Sequence, residues 1–320
     1  MRPVRAFAAA VICLTLAATL PGPASAGVEP VSGCDVFPAD NAWRLDVSNL
    51  PVHPRSQDWK RTSHAGSTLL HPDFGPPSYG IPFDVVDAGH PDVAIDFLYE
   101  SESDPGPYPF GPDITIEGGS DRHAIMIDES DCTLYELFDA RWNGGDPTAG
   151  SGAIFALEGV GANDLRPAGW TSADAAGLPI FPGLLRPDEV QAGLIDHAIR
   201  MTVSCTSDRY LWPARHSTST GRAACPPMGA RFRLQGNFPT KGFSADAKVI
   251  LRGLKTYGLI VADNGSDWYF QGTVDDWWTN DLLDELKSVP ASAFVAVDAR
   301  TCKVAAGSAE FAYGPGCPAP

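Results

Sequence analysis

Apolar and polar positions along this chain alternate in short runs rather than long ones. Segments at Val93 to Tyr99, Ile114 to Glu117, Arg122 to Ile127, Thr133 to Phe138, Ala230 to Leu234, Gly258 to Val261, Trp268 to Gln271 and Phe294 to Val297 are β-branched or alternating, the pattern of strands. Gly and Pro are dense between them, and Ser103 to Ser120 reads as a turn-rich crossing that no helix tolerates. Three segments carry the helical period instead. From about Pro187 to Met201 a proline opens the run, Asp188 and Glu189 fill the first turn, and Val190, Leu194, Ile195, Ala198 and Met201 form an apolar stripe. Ser244 caps a second helix over Ala245 to Tyr257 that Gly258 closes, and Thr279 caps a third from Asp281 to Lys287. The expectation is a mostly β fold, a sandwich or jelly roll with two or three flanking helices. A single domain over residues 27–320 is expected, because no low-complexity linker divides the chain and no internal repeat is visible.

The first 26 residues follow another plan. Arg2 and Arg5 precede an apolar run from Ala8 to Leu20, and Ala24-Ser25-Ala26 supplies small residues at a cleavage point, as in a secretory signal. That run is shorter than a membrane span and is broken by Pro21, Gly22 and Pro23, so no membrane anchor is expected and the mature chain should begin near Gly27. Cys13 leaves with the signal, and Cys34, Cys132, Cys205, Cys225, Cys302 and Cys317 remain for an oxidising compartment. Three disulfides are the natural reading, and spacing alone leaves their pairing open. A Cys205–Cys225 bridge is expected, since it would stiffen a loop rich in candidate binding residues.

Charge and missing motifs then narrow the chemistry. The formal net charge is −16, and loss of Arg2 and Arg5 takes it to about −18. Such a surface repels nucleic acid and suits a neutral substrate. There is no G-x-S-x-G elbow, H-E-x-x-H pair, Walker A loop, dinucleotide fingerprint or cysteine array with zinc spacing. No cofactor and no metal are expected, Ser151 between two glycines reads as a turn residue, and a monomer is expected.

The runs HPDFGPPSYGIPF, DRHAIMIDESDCTLYELFDA, AGWTSADAAGLPIFPGLLRPDEVQAGLIDHAIR, YLWPARH, PPMGARFRL and LKTYGLIVADNGSDWY together resemble a family of secreted bacterial proteins to which no activity is assigned. The resemblance covers roughly His71 to Val297. It implies an exported domain of one architecture and transfers no catalytic residue.

Candidate chemistry therefore rests on the side chains. If Ile127 pairs with Cys132 in a hairpin, His123 falls directly opposite Glu136 on one apolar face, a pair suited to acid-base work or to a structural hydrogen bond. Asp263, ahead of the Asn264-Gly265 hairpin signal, is a further candidate carboxyl, with Tyr257 and Trp268 as flanking aromatic surfaces. Trp212, Arg215 and His216, between Cys205 and Cys225, suit a sugar ring, which stacks on indole and bonds through its hydroxyls. His197 on the expected long helix is either a binding or a helix-packing histidine, and His71-Pro72-Asp73 lacks the further ligands a metal needs. These features fit a secreted carbohydrate-active enzyme, foremost a glycoside hydrolase acting on an extracellular polysaccharide or oligosaccharide. A non-catalytic carbohydrate-binding or cell-wall-associated protein and a polysaccharide lyase are the alternatives.

Overall fold

The computed structural model describes residues 31–75, 79–218 and 221–320. The expected signal at residues 1–26 and the start near Gly27 lie outside the described residues. Strands occupy 25% of the chain and helices 16%, so the mostly β expectation holds. In chain order the elements are α1 (Ser56–Thr62), β1 (His71–Pro72), β2 (Asp84–Val86), β3 (Asp96–Phe97), β4 (Ala124–Asp128), β5 (Thr133–Phe138), β6 (Thr148–Ala149), β7 (Ser151–Ala156), α2 (Pro187–Ala192), β8 (Ile199–Val203), β9 (Arg231–Leu234), α3 (Ala245–Thr256), β10 (Leu259–Asn264), β11 (Tyr269–Phe270), α4 (Asn280–Leu286) and β12 (Phe294–Val297). A mixed six-stranded sheet runs β1-β11-β8-β10-β9-β12, a four-stranded sheet runs β2-β4-β5-β7, and β3 pairs with β6.

The two larger sheets share one core. Ile125, Ile127 and Leu134 on one face of the β4–β5 hairpin join Ile199, Met201 and Phe270 of the six-stranded sheet. The alternate residues Ala124, Met126 and Leu137 pack instead with Tyr108, Phe110 and Ile114. Period-two alternation thus gives the hairpin two buried faces, and the Gly/Pro-rich crossing covers the outer one. Ser244 and Thr279 cap α3 and α4 as the sequence predicts, each side-chain oxygen accepting a backbone N–H of the first turn.

Several boundaries differ from expectation. The helix expected through Met201 stops at Ala192, because Gly193 takes φ 81°, a left-handed conformation that ends the turn. Residues Ile199–Val203 then form β8, buried along its whole length between β11 and β10. Ile114 to Glu117 is not a strand, Val93 to Tyr99 shrinks to β3 and an isolated bridge, and Ser151 opens β7 rather than a turn. Asn264-Gly265 does not join neighbouring strands, since β8 lies between β10 and β11. In the β4–β5 hairpin Ile127 faces Leu134, not Cys132, a two-residue shift from the expected register. Cys132 is held outside the ladder by its bond to Cys34. The shift preserves each residue's face but removes Glu136 from the position opposite His123.

Cys34–Cys132, Cys205–Cys225 and Cys302–Cys317 are bonded, which fits an extracellular protein. Among the described residues no helix is long and apolar enough to cross a membrane.

Candidate active site

The site is built on an irregularity in the larger sheet. β8 and β10 run parallel, pairing Val261 with Met201 but Asp263 with Thr202. Ala262 is thus an extra residue, a bulge. In an unbroken ladder Asp263 would lie beside Val203 on the face of Ile199 and Met201; the bulge moves it to the face of Arg200 and Thr202. Tyr269, paired with Thr202, and His71, paired with Tyr269, extend that face across β11 and β1. His71 stacks on Tyr269 with ring centroids 3.9 Å apart.

Two charge pairs hold the floor. The Arg200 guanidinium donates from Nε and Nη2 to the two oxygens of buried Asp174, both at 2.9 Å, and from Nη1 to Gln271 at 3.0 Å. Such a bidentate pair fixes both partners in orientation. Burial opposes the Arg200 charge, and Asp174 outweighs it, so the group is held above its ordinary value. His123, just before β4, places Nδ1 2.7 Å from the Glu117 carboxylate, while the Glu117 backbone N–H donates to the His123 carbonyl at 2.8 Å. Burial favours the neutral imidazole, but the hydrogen bond and charge of Glu117 prevail and raise it. Glu117 is correspondingly held low despite its own burial.

Two open chambers meet at Asp263. One, of about 460 Å³, is bordered by Asp73, Tyr79, Glu117, His123, Arg200 and Tyr269. The other, of about 410 Å³, is bordered by Tyr99, Glu102, Phe138, Thr171 and His216. Asp121, Asp263 and Asn264 border both, and the volumes match small-molecule sites. Burial pushes the Asp263 carboxyl up to about 7, the Asp174 charge adds to the rise, and Arg200 opposes it. Among the described residues its one hydrogen bond comes from the Asn264 backbone N–H at 2.6 Å. Burial raises Asp73 as well. The arrangement presents a protonatable carboxyl on the larger sheet and the exposed carboxylate of Asp121, from the loop before β4, to the same space.

Of the residues predicted from sequence, Asp263, His123 and His216 border these chambers. Glu136 borders neither. It is fully buried and accepts the backbone N–H groups of Ile180 and Phe181 at 2.8–2.9 Å, so it anchors the turn before Phe181–Gly183. Trp212 and Trp268 are buried, their indole N–H groups donating to the Ser308 and Ser63 carbonyls, and offer no open stacking face. Arg215 is spent on the Arg166 and Ala306 carbonyls. His197 lies in the segment between α2 and β8 rather than on a helix, with Nε2 2.9 Å from the Glu189 carboxylate. Tyr257 caps α3 and borders neither chamber. Among the described residues no group of three or more His, Cys, Asp or Glu side chains is arranged to hold a metal ion.

The sequence reading missed Arg200, Asp174, Glu117, Asp121 and Tyr99. For Arg200 a signal existed: one charged residue inside the β-branched run Ile199-Arg200-Met201-Thr202-Val203, where a buried strand demands a partner. Comparison with protein-family models, curated proteins and solved structures finds no match to this chain.

Proposed function

We propose that this is an exported glycoside hydrolase that cleaves a neutral extracellular polysaccharide, with Asp263 as its general acid. The observation that carries the reading is Asp263 itself: a carboxyl turned by the bulge into an open groove, raised to about 7, and bonded among the described residues only through one backbone N–H. A carboxylic acid protonated near neutrality is what departure of a sugar alkoxide requires. Asp263 would donate its proton to the glycosidic oxygen as the bond from the anomeric carbon to that oxygen breaks. Asp121 would serve that carbon, either by taking the proton of the attacking water or by bonding it transiently before water does. Arg200 and His123 stabilise this array without touching substrate charge, because each is already paired with a carboxylate. Tyr79, Tyr99 and Tyr269 supply apolar ring faces for sugar C–H surfaces.

The test is incubation of the mature protein with a panel of neutral and acidic polysaccharides, reading new reducing ends and the absorbance of unsaturated uronates. New ends without that absorbance support hydrolysis, and Asp263→Asn should reduce their rate by about 100-fold or more. Turnover by Asp263→Asn at the wild-type rate ends the assignment. Unsaturated products would replace it with a lyase, and length-dependent binding without cleavage of any glycan would replace it with a binding protein.

A further inference from the structure

The second chamber carries an inference beyond the chemistry at Asp263. Its walls are a half-exposed Tyr99 ring and the Phe138 ring, with polar groups between them that keep spare hydrogen-bonding capacity. The His216 Nε2 stands 3.9 Å from the Glu102 carboxylate, too far for a hydrogen bond and close enough for one hydroxyl to bridge both. Among the described residues the Glu102 carboxylate otherwise accepts only the Thr171 backbone N–H, at 3.3 Å. An aromatic wall opposite unsaturated polar groups is the chemistry of a sugar site.

The placement matters as much as the lining. This chamber shares only Asp121, Asp263 and Asn264 with the chamber that holds His123 and Arg200, and both are open to solvent. A site that trims chain ends needs to close on one side of its acid. Here space continues on both sides of Asp263. Building on the hydrolase reading above, we propose that the Tyr99 chamber is a second sugar subsite, so that a neutral glycan chain lies across Asp263 with units bound on both sides and is cut at internal linkages.

Two measurements separate this inference from the hydrolase reading. The first uses the inactive Asp263→Asn protein and neutral gluco-oligosaccharides from disaccharide to octasaccharide, titrated by calorimetry. Affinity should keep rising past the length that fills one chamber, and Tyr99→Ala on the same background should weaken the longer chains by about tenfold while Tyr99→Phe restores them. Affinity that stops rising at the disaccharide, or a longer-chain affinity untouched by Tyr99→Ala, overturns the second subsite whether or not the protein is catalytic. The second uses wild-type protein on whichever soluble polysaccharide of the panel it cuts. Viscosity should fall well ahead of reducing-end release, with intermediate oligosaccharides as early products; monosaccharide or disaccharide as the sole early product overturns internal cleavage while leaving hydrolysis intact.

Discussion

Asp263 and Glu136 are both carboxyls pushed up to about 7 by burial, yet they predict opposite mutant behaviour. A raised folded-state value means that the folded form prefers the protonated acid. The stability each contributes is full below the unfolded carboxyl value near 4 and is lost as pH climbs through about 7. On the proposed hydrolase reading the Asp263 proton is also the reagent, so activity should fall on the alkaline side through the same region. Asp263→Asn removes the cost of a charged carboxylate in this place. At pH 8 it should match or exceed the wild-type stability, by about 1–3 kcal/mol at most, while abolishing turnover. Denaturant melts at pH 5 and pH 8 check this, and a variant equally destabilised at both would show that the carboxyl is structural. Glu136→Gln has another logic. It replaces one of the two oxygens that receive the Ile180 and Phe181 N–H groups with an NH2 that cannot accept them. Stability should drop by about 2 kcal/mol, and activity per folded molecule should stay at the wild-type value. A fall of 100-fold in the rate of the folded fraction would return Glu136 to the catalytic list.

At the scale of elements, what was legible in the sequence follows from how local each signal is. The caps at Ser244 and Thr279, the runs that became β5 and β12, and the Cys205–Cys225 staple each depend on residues close together in the chain, and all form where the sequence indicates. Candidate-site residues do not have that advantage. Asp121, Asp174, Arg200 and Asp263 come from four separated segments, and only pairing of β8 with β10 makes Arg200 and Asp263 share a face. Asp263 could be named from its aromatic-flanked turn, but its orientation depends on the bulge at Ala262, which leaves no mark in a single sequence. The segment after Pro187 misleads for a related reason: Met201 completes a helical stripe with Val190, Leu194, Ile195 and Ala198, yet it is apolar because it belongs to a strand buried along its whole length. The decisive residue there is Gly193. Its φ of 81° favours glycine, and a Cβ added to it would meet nothing within 4 Å, so Gly193→Ala should cost only the conformational penalty of about 1 kcal/mol. Gly258, at φ 73°, differs because its Cβ would stand 2.2 Å from the Phe232 carbonyl oxygen across the β9–β10 ladder. Gly258→Ala should therefore cost at least about 3 kcal/mol, and thermal melts of the two variants giving equal losses would contradict this account of both turns.

For the whole molecule, the governing quantity is charge, and it bears on which polymer can approach. The formal net charge is −16, and each base bordering the two chambers already faces a carboxylate of the chain: Arg200 faces Asp174, His123 faces Glu117, and His216 faces Glu102. Asp73 and Asp121 border the groove with no cationic side chain among the described residues bonded to them. A uronate polymer would thus meet repulsion at long range and find no free guanidinium at close range. On the proposed reading a neutral glycan would feel neither, its affinity coming from ring stacking and hydroxyl hydrogen bonds. Salt distinguishes the two, since the screening length shrinks from about 30 Å at 0.01 M to about 10 Å at 0.1 M. KM for the neutral polymer should change by less than about twofold over that range, because no long-range charge term enters its binding. Any residual binding of a polyuronate should strengthen as salt is added, the reverse of what a basic groove produces. Tight polyuronate binding at 0.01 M salt that weakens at 0.1 M would mean that a cationic path into the groove exists, and the neutral-substrate reading would then give way to a lyase.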